Sequence, residues 1–303
     1  MGESLITRRA GAGGEATITF ENYSHATNLT HISASDLSSA RTYLSGASVG
    51  EYALFAGGSG GGSYSTVDAY NTSLTRSTPT ALSVGRTYLS GASVGEYALF
   101  AGGTSGSYST TVDAYNTSLT RSTPTDLSEA RTYLSGASVG EYALFAGGVI
   151  GSSFSPTVDA YNTSLTRSTP TALSVARGYL SGASVGEHAL FAGGYGNSSY
   201  YSTVDAYNTS LTRSTPTVLS EARRYLPGTS VGKYALFAGG NSNSGNSSKV
   251  DAYCDILELS LFPNTKYKLN DMPSEQTSTS FQILTISTPV NGYMKIQNAT
   301  LQN

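Results

Sequence analysis

The octapeptide EYALFAGG stands at residues 51–58, 96–103 and 141–148, and returns with one residue changed at 187–194 and 233–240. An arginine opens each copy ten residues earlier, at Arg41, Arg86, Arg131, Arg177 and Arg223, so the spacing is 45, 45, 46 and 46. A fixed period in the forties, cut into short apolar runs by Gly and Ser/Thr clusters, is the pattern of a propeller blade of four strands. No apolar stripe of 3.6-residue period survives the Gly, Ser and Thr content, so the fold class is all-β.

Each run of the unit takes a strand. TYLSGASV forms a first strand and EYALFAGG a second, joined by a Gly-Glu or Gly-Lys turn. A loop of varying length follows, then a third strand in STTVDAYN and a fourth in SLTRSTPT. In the second strand Tyr52, Leu54 and Ala56 face one way and Ala53 and Phe55 the other. Both faces are apolar, as a strand held between two neighbouring sheets requires. Arg76 and Pro79 in the fourth strand suit an exposed outer edge, because Pro cannot donate to a ladder and charge blocks edge pairing.

A double glycine closing an apolar strand, a variable loop, then Val-Asp-Ala-Tyr resembles the kelch repeat, five times over from about residue 28 to 253. That resemblance implies a kelch-like β-propeller of five four-stranded blades. Kelch repeats usually carry a Trp after the Tyr, and this chain contains none.

Ring closure is read from the ends. Residues 28–41 match 118–131 at a constant offset of 90, so the chain starts with a lone fourth strand. Pairing of strand 28–36 with the last unit would complete a fifth blade. The domain reading is an N-terminal segment 1–27, a propeller 28–253 and a C-terminal β-module 254–303. The module would hold two hairpins, ILELSLF-PNT-KYKLN and FQILTIS-TPVNG-YMKIQNA, joined by ATITFEN near the N-terminus. The alternative is a sixth, diverged blade built from both termini.

Charge and composition exclude several classes. Only 12% of residues are charged, but aromatics reach 10%, which is not the makeup of a disordered chain. A net charge of −3 gives no basic footprint for nucleic acid. No apolar run approaches the ~18 residues of a membrane-spanning helix. The N-terminus has no apolar core of a secretory signal, so synthesis is expected to be cytoplasmic. Cys254 is the single cysteine and excludes an intramolecular disulfide framework.

Reactive constellations are scarce. Glu51, Glu96, Glu141 and Glu187, with Lys233 in the fifth place, repeat in a turn and read as solvated. Arg41, Arg86, Arg131, Arg177 and Arg223 recur once per unit, as do Asp68, Asp113, Asp159, Asp205 and Asp251, which predicts a repeated structural ion pair or backbone anchor between blades. Gly57 and Gly58, with Gly102, Gly103, Gly147, Gly148, Gly193, Gly194, Gly239 and Gly240, are structural positions where the strand leaves the sheet. His25, His31 and His188 show no metal-ligand spacing, so no metal and no cofactor are expected. Some kelch-like oxidases hold copper at a cysteine-linked tyrosine; here Tyr253 and Cys254 are adjacent and would face opposite ways in a strand.

Between second and third strands the copies stop agreeing: SGGGSYS (59–65), TSGSYST (104–110), VIGSSFSP (149–156), YGNSSYYS (195–202) and NSNSGNSS (241–248). Tyr64, Tyr108, Phe154, Tyr200, Tyr201 and Asn243 are the candidate binding residues. Tyr with Ser, Gly and Asn is the composition of adaptable recognition loops. A constant scaffold with varied loops is a common way to build a binding surface. The head segment ESLITRRAGAGG also resembles the start of small structural proteins of phage and prophage tails, where kelch-like repeats followed by a small β-module also occur. Together these readings point to a non-enzymatic structural or binding protein, in a phage tail or baseplate, whose loops meet a host surface glycan or a neighbouring protein. It would act as a homo-oligomer or within a larger assembly. The alternatives are an intracellular kelch-type scaffold and a kelch-like sugar-modifying enzyme.

Overall fold

The computed structural model describes residues 31–255 and, in a second compact unit spanning Leu257–Asn303, the strands Gln282–Ile286 and Ile296–Thr300. Among the described residues there is no helix. Residues 31–255 form five successive antiparallel sheets, one per repeat, and the loop after the second strand adds a two-stranded ribbon in each of the last three.

The first sheet runs Ser45–Val49, Tyr52–Ala56, Val67–Tyr70, Arg76–Ser77 in spatial as in chain order. The next three repeat it, beginning at Ser90, Ser135 and Ser181. The fifth has three strands among the described residues, Gly228–Val231, Tyr234–Ala238 and Val250–Cys254. This is the arrangement of propeller-like blades, with the Arg-Ser strand at the outer edge of each four-stranded sheet.

The strands are shorter than the sequence expectation, and for the first and fourth the reason is local. The first strand begins at Ser45, because Tyr43 takes a φ of 57° and turns the chain before the ladder starts. The fourth strand shrinks to two residues. Asn71 Oδ1 accepts the N–H groups of Ser73 and Thr75 while Leu74 takes a φ of 57°, so residues 71–75 form a tight turn.

The core lies between sheets. Leu54, Ala56, Val67 and Ala69 of the first sheet pack with Ala98, Phe100 and Tyr115 of the second, and this cluster recurs at each later junction. Phe100 and Tyr115 are fully buried, and burial of one such ring stabilises by roughly 1.5–3 kcal/mol. First strands approach one another closely: Ser93 Oγ donates to the Ser48 carbonyl at 2.7 Å, and Ser138 Oγ to that of Ser93 at 2.6 Å. A Cβ on Gly91 would lie 2.4 Å from the Gly46 carbonyl oxygen, so only glycine fits there.

Among the described residues, nothing covers one apolar face of each end sheet. Phe55 is 38% exposed, whereas its equivalents Phe100 and Phe145 are at 0%. In the fifth sheet Val250 is 61% exposed, against 0% for Val204.

Residues 28–30 of the expected closing strand lie outside the described residues, and 31–36 form no strand. Instead the Ser35 carbonyl accepts the Tyr70 hydroxyl and the Ser38 N–H donates to Asp68. Thr80 and Ser83 make the same two bonds to Tyr115 and Asp113 where the chain enters the second sheet. The N-terminal segment therefore enters the first sheet as each linker enters the next one.

In the second unit the two strands pair antiparallel, Gln282 opposite Thr300 and Ile286 opposite Ile296. The first falls within the expected second hairpin's FQILTIS, and the second begins in its YMKIQNA and runs one residue past it. The expected hairpin over ILELSLF-PNT-KYKLN and the segment ATITFEN lie outside the described residues.

Candidate functional site

The antiparallel path fixes which residues share an end of the sheets. The first strand leads to the turn at residues 50–51, and the second returns to the starting end. Glu51, Glu96, Glu141, Glu187 and Lys233 are all exposed in that turn. The variable loops stand at the opposite end, beside the residues that precede the first strand. Thr42 and Ser59 exchange backbone hydrogen bonds at 2.8 and 2.7 Å, tying loop 59–65 to Tyr43. The same bridge joins Thr87 to Thr104, Thr132 to Val149, Gly178 to Tyr195 and Arg224 to Asn241.

The sequence-predicted loop residues reach from one loop to the next. The Tyr108 hydroxyl donates to the Gly151 carbonyl at 3.1 Å, and the Tyr200 hydroxyl to Asn241 Oδ1 at 2.9 Å. Phe154 meets the Tyr195 ring edge-on at 5.8 Å. Tyr108, Phe154 and Tyr200 thus share one structural position. Tyr64 and Tyr201 occupy the following one, taken by Ser109, Ser155 and Ser247 in the other copies. Tyr64 folds back toward Gly60, and the Tyr201 backbone bonds Gly194 and Arg223. Asn243 is exposed at its loop tip and has no ring contact to a neighbour.

Within each unit the buried arginine meets the aspartate, which is buried in the first four: Arg41 with Asp68 at 2.7 Å, Arg131 with Asp159 at 2.6 Å, Arg177 with Asp205 at 2.8 Å, and likewise Arg86 with Asp113 and Arg223 with Asp251. The side chain serves its own sheet, with Arg131 Nη2 also donating to the Phe145 carbonyl. The arginine backbone serves the junction, since its carbonyl accepts the N–H of the second glycine of the preceding copy, as in Gly58 to Arg86 at 2.8 Å. Burial alone would raise the Asp68 pKa, but hydrogen bonds from Arg41 and Ser38 hold it below the ordinary carboxylate value.

A set of residues absent from the sequence reading completes this end. Tyr43, Tyr88, Tyr133, Tyr179 and Tyr225 all take φ between 53° and 57°, which is unusual for a bulky residue. The last four each donate the N–H to the carbonyl of the tyrosine before, from Tyr88 to Tyr43 at 3.2 Å through to Tyr225 to Tyr179 at 3.1 Å. Their rings stack in series at 4.3, 4.3, 4.4 and 4.9 Å and line a cavity of about 220 Å³. A hydrogen bond to Tyr88 raises the Tyr43 pKa, and burial raises that of Tyr179. The available signal was a Tyr-Leu pair in all five copies behind a residue that changes: Thr, Thr, Thr, Gly, Arg.

Matching against known protein families gives no match, and against curated proteins none either.

His31 is exposed, and His188 Nδ1 lies 2.7 Å from Asp255 Oδ1 near the surface; His25 lies outside the described residues. Among the described residues no three His, Cys, Asp or Glu side chains come together as a metal site. Cys254 is free and exposed, while Tyr253 donates its hydroxyl to the Thr217 carbonyl. Phenols, hydroxyls and loop amides stand at the loop end with the Arg224 guanidinium, and the carboxylates of Asp126, Glu129 and Glu221 accept from Thr110, Ser155 and Ser247 there.

Proposed function

We propose that the protein is a non-enzymatic recognition module that binds a surface polymer or neighbouring protein through the loop end of its sheets. The carrying observation is that loop side chains meet across copies, Ser63 to Thr104, Tyr108 to Gly151, Phe154 against Tyr195 and Tyr200 to Asn241, so the five varied loops are joined in series at one end of the sheets. Rigid aromatics among Ser, Gly and Asn supply contact area at low entropic cost. The setting belongs to the same proposal: a component of a phage tail or baseplate, whose small structural proteins the segment Glu3–Gly14 resembles.

The test is a glycan array and a pull-down against virion proteins with the full chain and with the triple variant Tyr64→Ala, Tyr108→Ala, Tyr200→Ala. Binding lost in the variant supports the loop end; binding unchanged overturns it. Mass spectrometry of purified virions tests the setting.

We read the five sheets as blades of a kelch-like propeller. The uncovered faces at Phe55 and Val250 favour six blade positions over a ring closed by five.

A further inference from the structure

The repeats are nearly identical, so a departure confined to one junction marks a place where symmetry has been given up. The junction of the fourth and fifth sheets is such a place. The residue before the stacked tyrosine is Thr42, Thr87 and Thr132 in three copies, but Gly178 and Arg224 in the last two. Opposite Gly178 stands Tyr195, where the earlier copies carry Ser59, Thr104 and Val149. A Cβ at residue 178 would lie 2.9 Å from a Val149 methyl, so the glycine admits this packing.

The guanidinium of Arg224 then lies among four rings, at 4.9 Å from Tyr195, 5.1 Å from Tyr225, 5.3 Å from Tyr200 and 5.8 Å from Tyr179. It forms no ion pair among the described residues, and its buried Nε has no partner. Its neighbour Arg223 is fully buried against Asp251. The nearby carboxylate of Glu221 is held by Ser247. Stacking on aromatic faces leaves the in-plane N–H groups of a guanidinium free to hold a carboxylate in a fork.

We infer that Arg224 with Tyr179, Tyr195, Tyr200 and Tyr225 forms a site for an acidic saccharide, the guanidinium taking the carboxylate of a hexuronate unit and the tyrosines packing on the sugar. The tyrosine-lined cavity beside it, about 220 Å³, has room for one ring. A net charge of −3 and one guanidinium among the four rings fit an isolated carboxylate better than a phosphate backbone. The inference rests on the loop end being the binding face and names its ligand class.

The test is calorimetry of the full chain with galacturonate and glucuronate oligomers, their carboxyl-reduced neutral counterparts, and an acidic peptide. Arg224→Thr installs the residue that three other copies carry, so the fold tolerates it. Wild type should prefer the uronate oligomers over the neutral ones by roughly tenfold or more, and Arg224→Thr should lose that preference while still binding the neutral sugar. Arg224→Lys should recover only part of it, because an ammonium has no fork. An Arg224→Thr chain that still discriminates overturns the site but leaves the loop-end reading intact. Wild type blind to all saccharides overturns it too, and the Tyr64, Tyr108, Tyr200 variant then judges the loop end on protein partners. An acidic peptide bound more tightly than any uronate, with the same dependence on Arg224, overturns the saccharide assignment.

Discussion

The backbone N–H of Gly103 donates to the carbonyl of Arg131 at 2.9 Å, joining the second sheet to the third. Gly103 has a φ of 96°, and a Cβ there would lie 2.6 Å from the Thr87 carbonyl oxygen. Backbone cannot yield as a side-chain tip can.

Gly103→Ala should therefore destabilise by about 2 kcal/mol or more, from left-handed strain and the clash together. Gly62, with nothing within 4 Å of its would-be Cβ, is the control, and Gly62→Ala should stay within about 0.5 kcal/mol of wild type. Urea denaturation monitored by circular dichroism reads both. Equal stability of the two variants would show that the junction adapts.

Removal of one member of a buried ion pair costs more than removal of both, because the survivor is left charged and dry. Arg131 and Asp159 have fully buried side chains. Arg167 still holds Asp159 at 3.2 Å in Arg131→Met, so that variant should cost about 3 kcal/mol, the low end for a broken buried pair, while adding Asp159→Leu should recover part of it. A double-mutant cycle gives the coupling, and strictly additive losses would contradict this account.

The phenols of Tyr115, Tyr161 and Tyr207 are buried, each donating to a backbone carbonyl, and burial raises their pKa values; that of Tyr253 is pushed up to about 12. A raised acid keeps its proton in the fold and loses it more easily unfolded. Stability from these groups is full below the ordinary tyrosine pKa near ~10 and is lost as pH rises through that value toward the folded ones. Titration by tyrosinate absorbance should show a first exposed set, then a second that ionises together with loss of the sheet signal. Ionisation of every tyrosine near pH ~10 with the fold intact would refute it.

The repeat, the all-β class and the middle two strands were legible because alternation and period survive in every copy. Arg86 and Asp113 were legible as a pair because each occurs once per unit. The tyrosine series was not: a Tyr before Leu-Ser-Gly reads as strand, and nothing in a pattern of apolar residues signals φ near 55° at Tyr88. The loop aromatics were found by their variation, but a list of loop residues does not show that Tyr108 and Phe154 share a position while Tyr64 does not. Arg224 stood in the sequence as one change in a repeat, and only its distances to four rings give it a role.

The two end faces give the last prediction. In a Cys254→Ser background, Phe55→Cys and Val250→Cys should react rapidly with a maleimide in the native full chain, since both positions are open to solvent. Phe100→Cys and Val204→Cys, at 0% exposure, should react only at the rate of opening of the fold. A ring closed by five sheets would bury Phe55 against the fifth, as Phe100 is buried between the first and the second. Slow labelling at both end positions would therefore mean that the first and fifth faces are covered in solution. Fast labelling keeps both free to accept another β-sheet layer, and dilution over a tenfold range separates cover from within the chain, which is concentration-independent, from cover by a second copy.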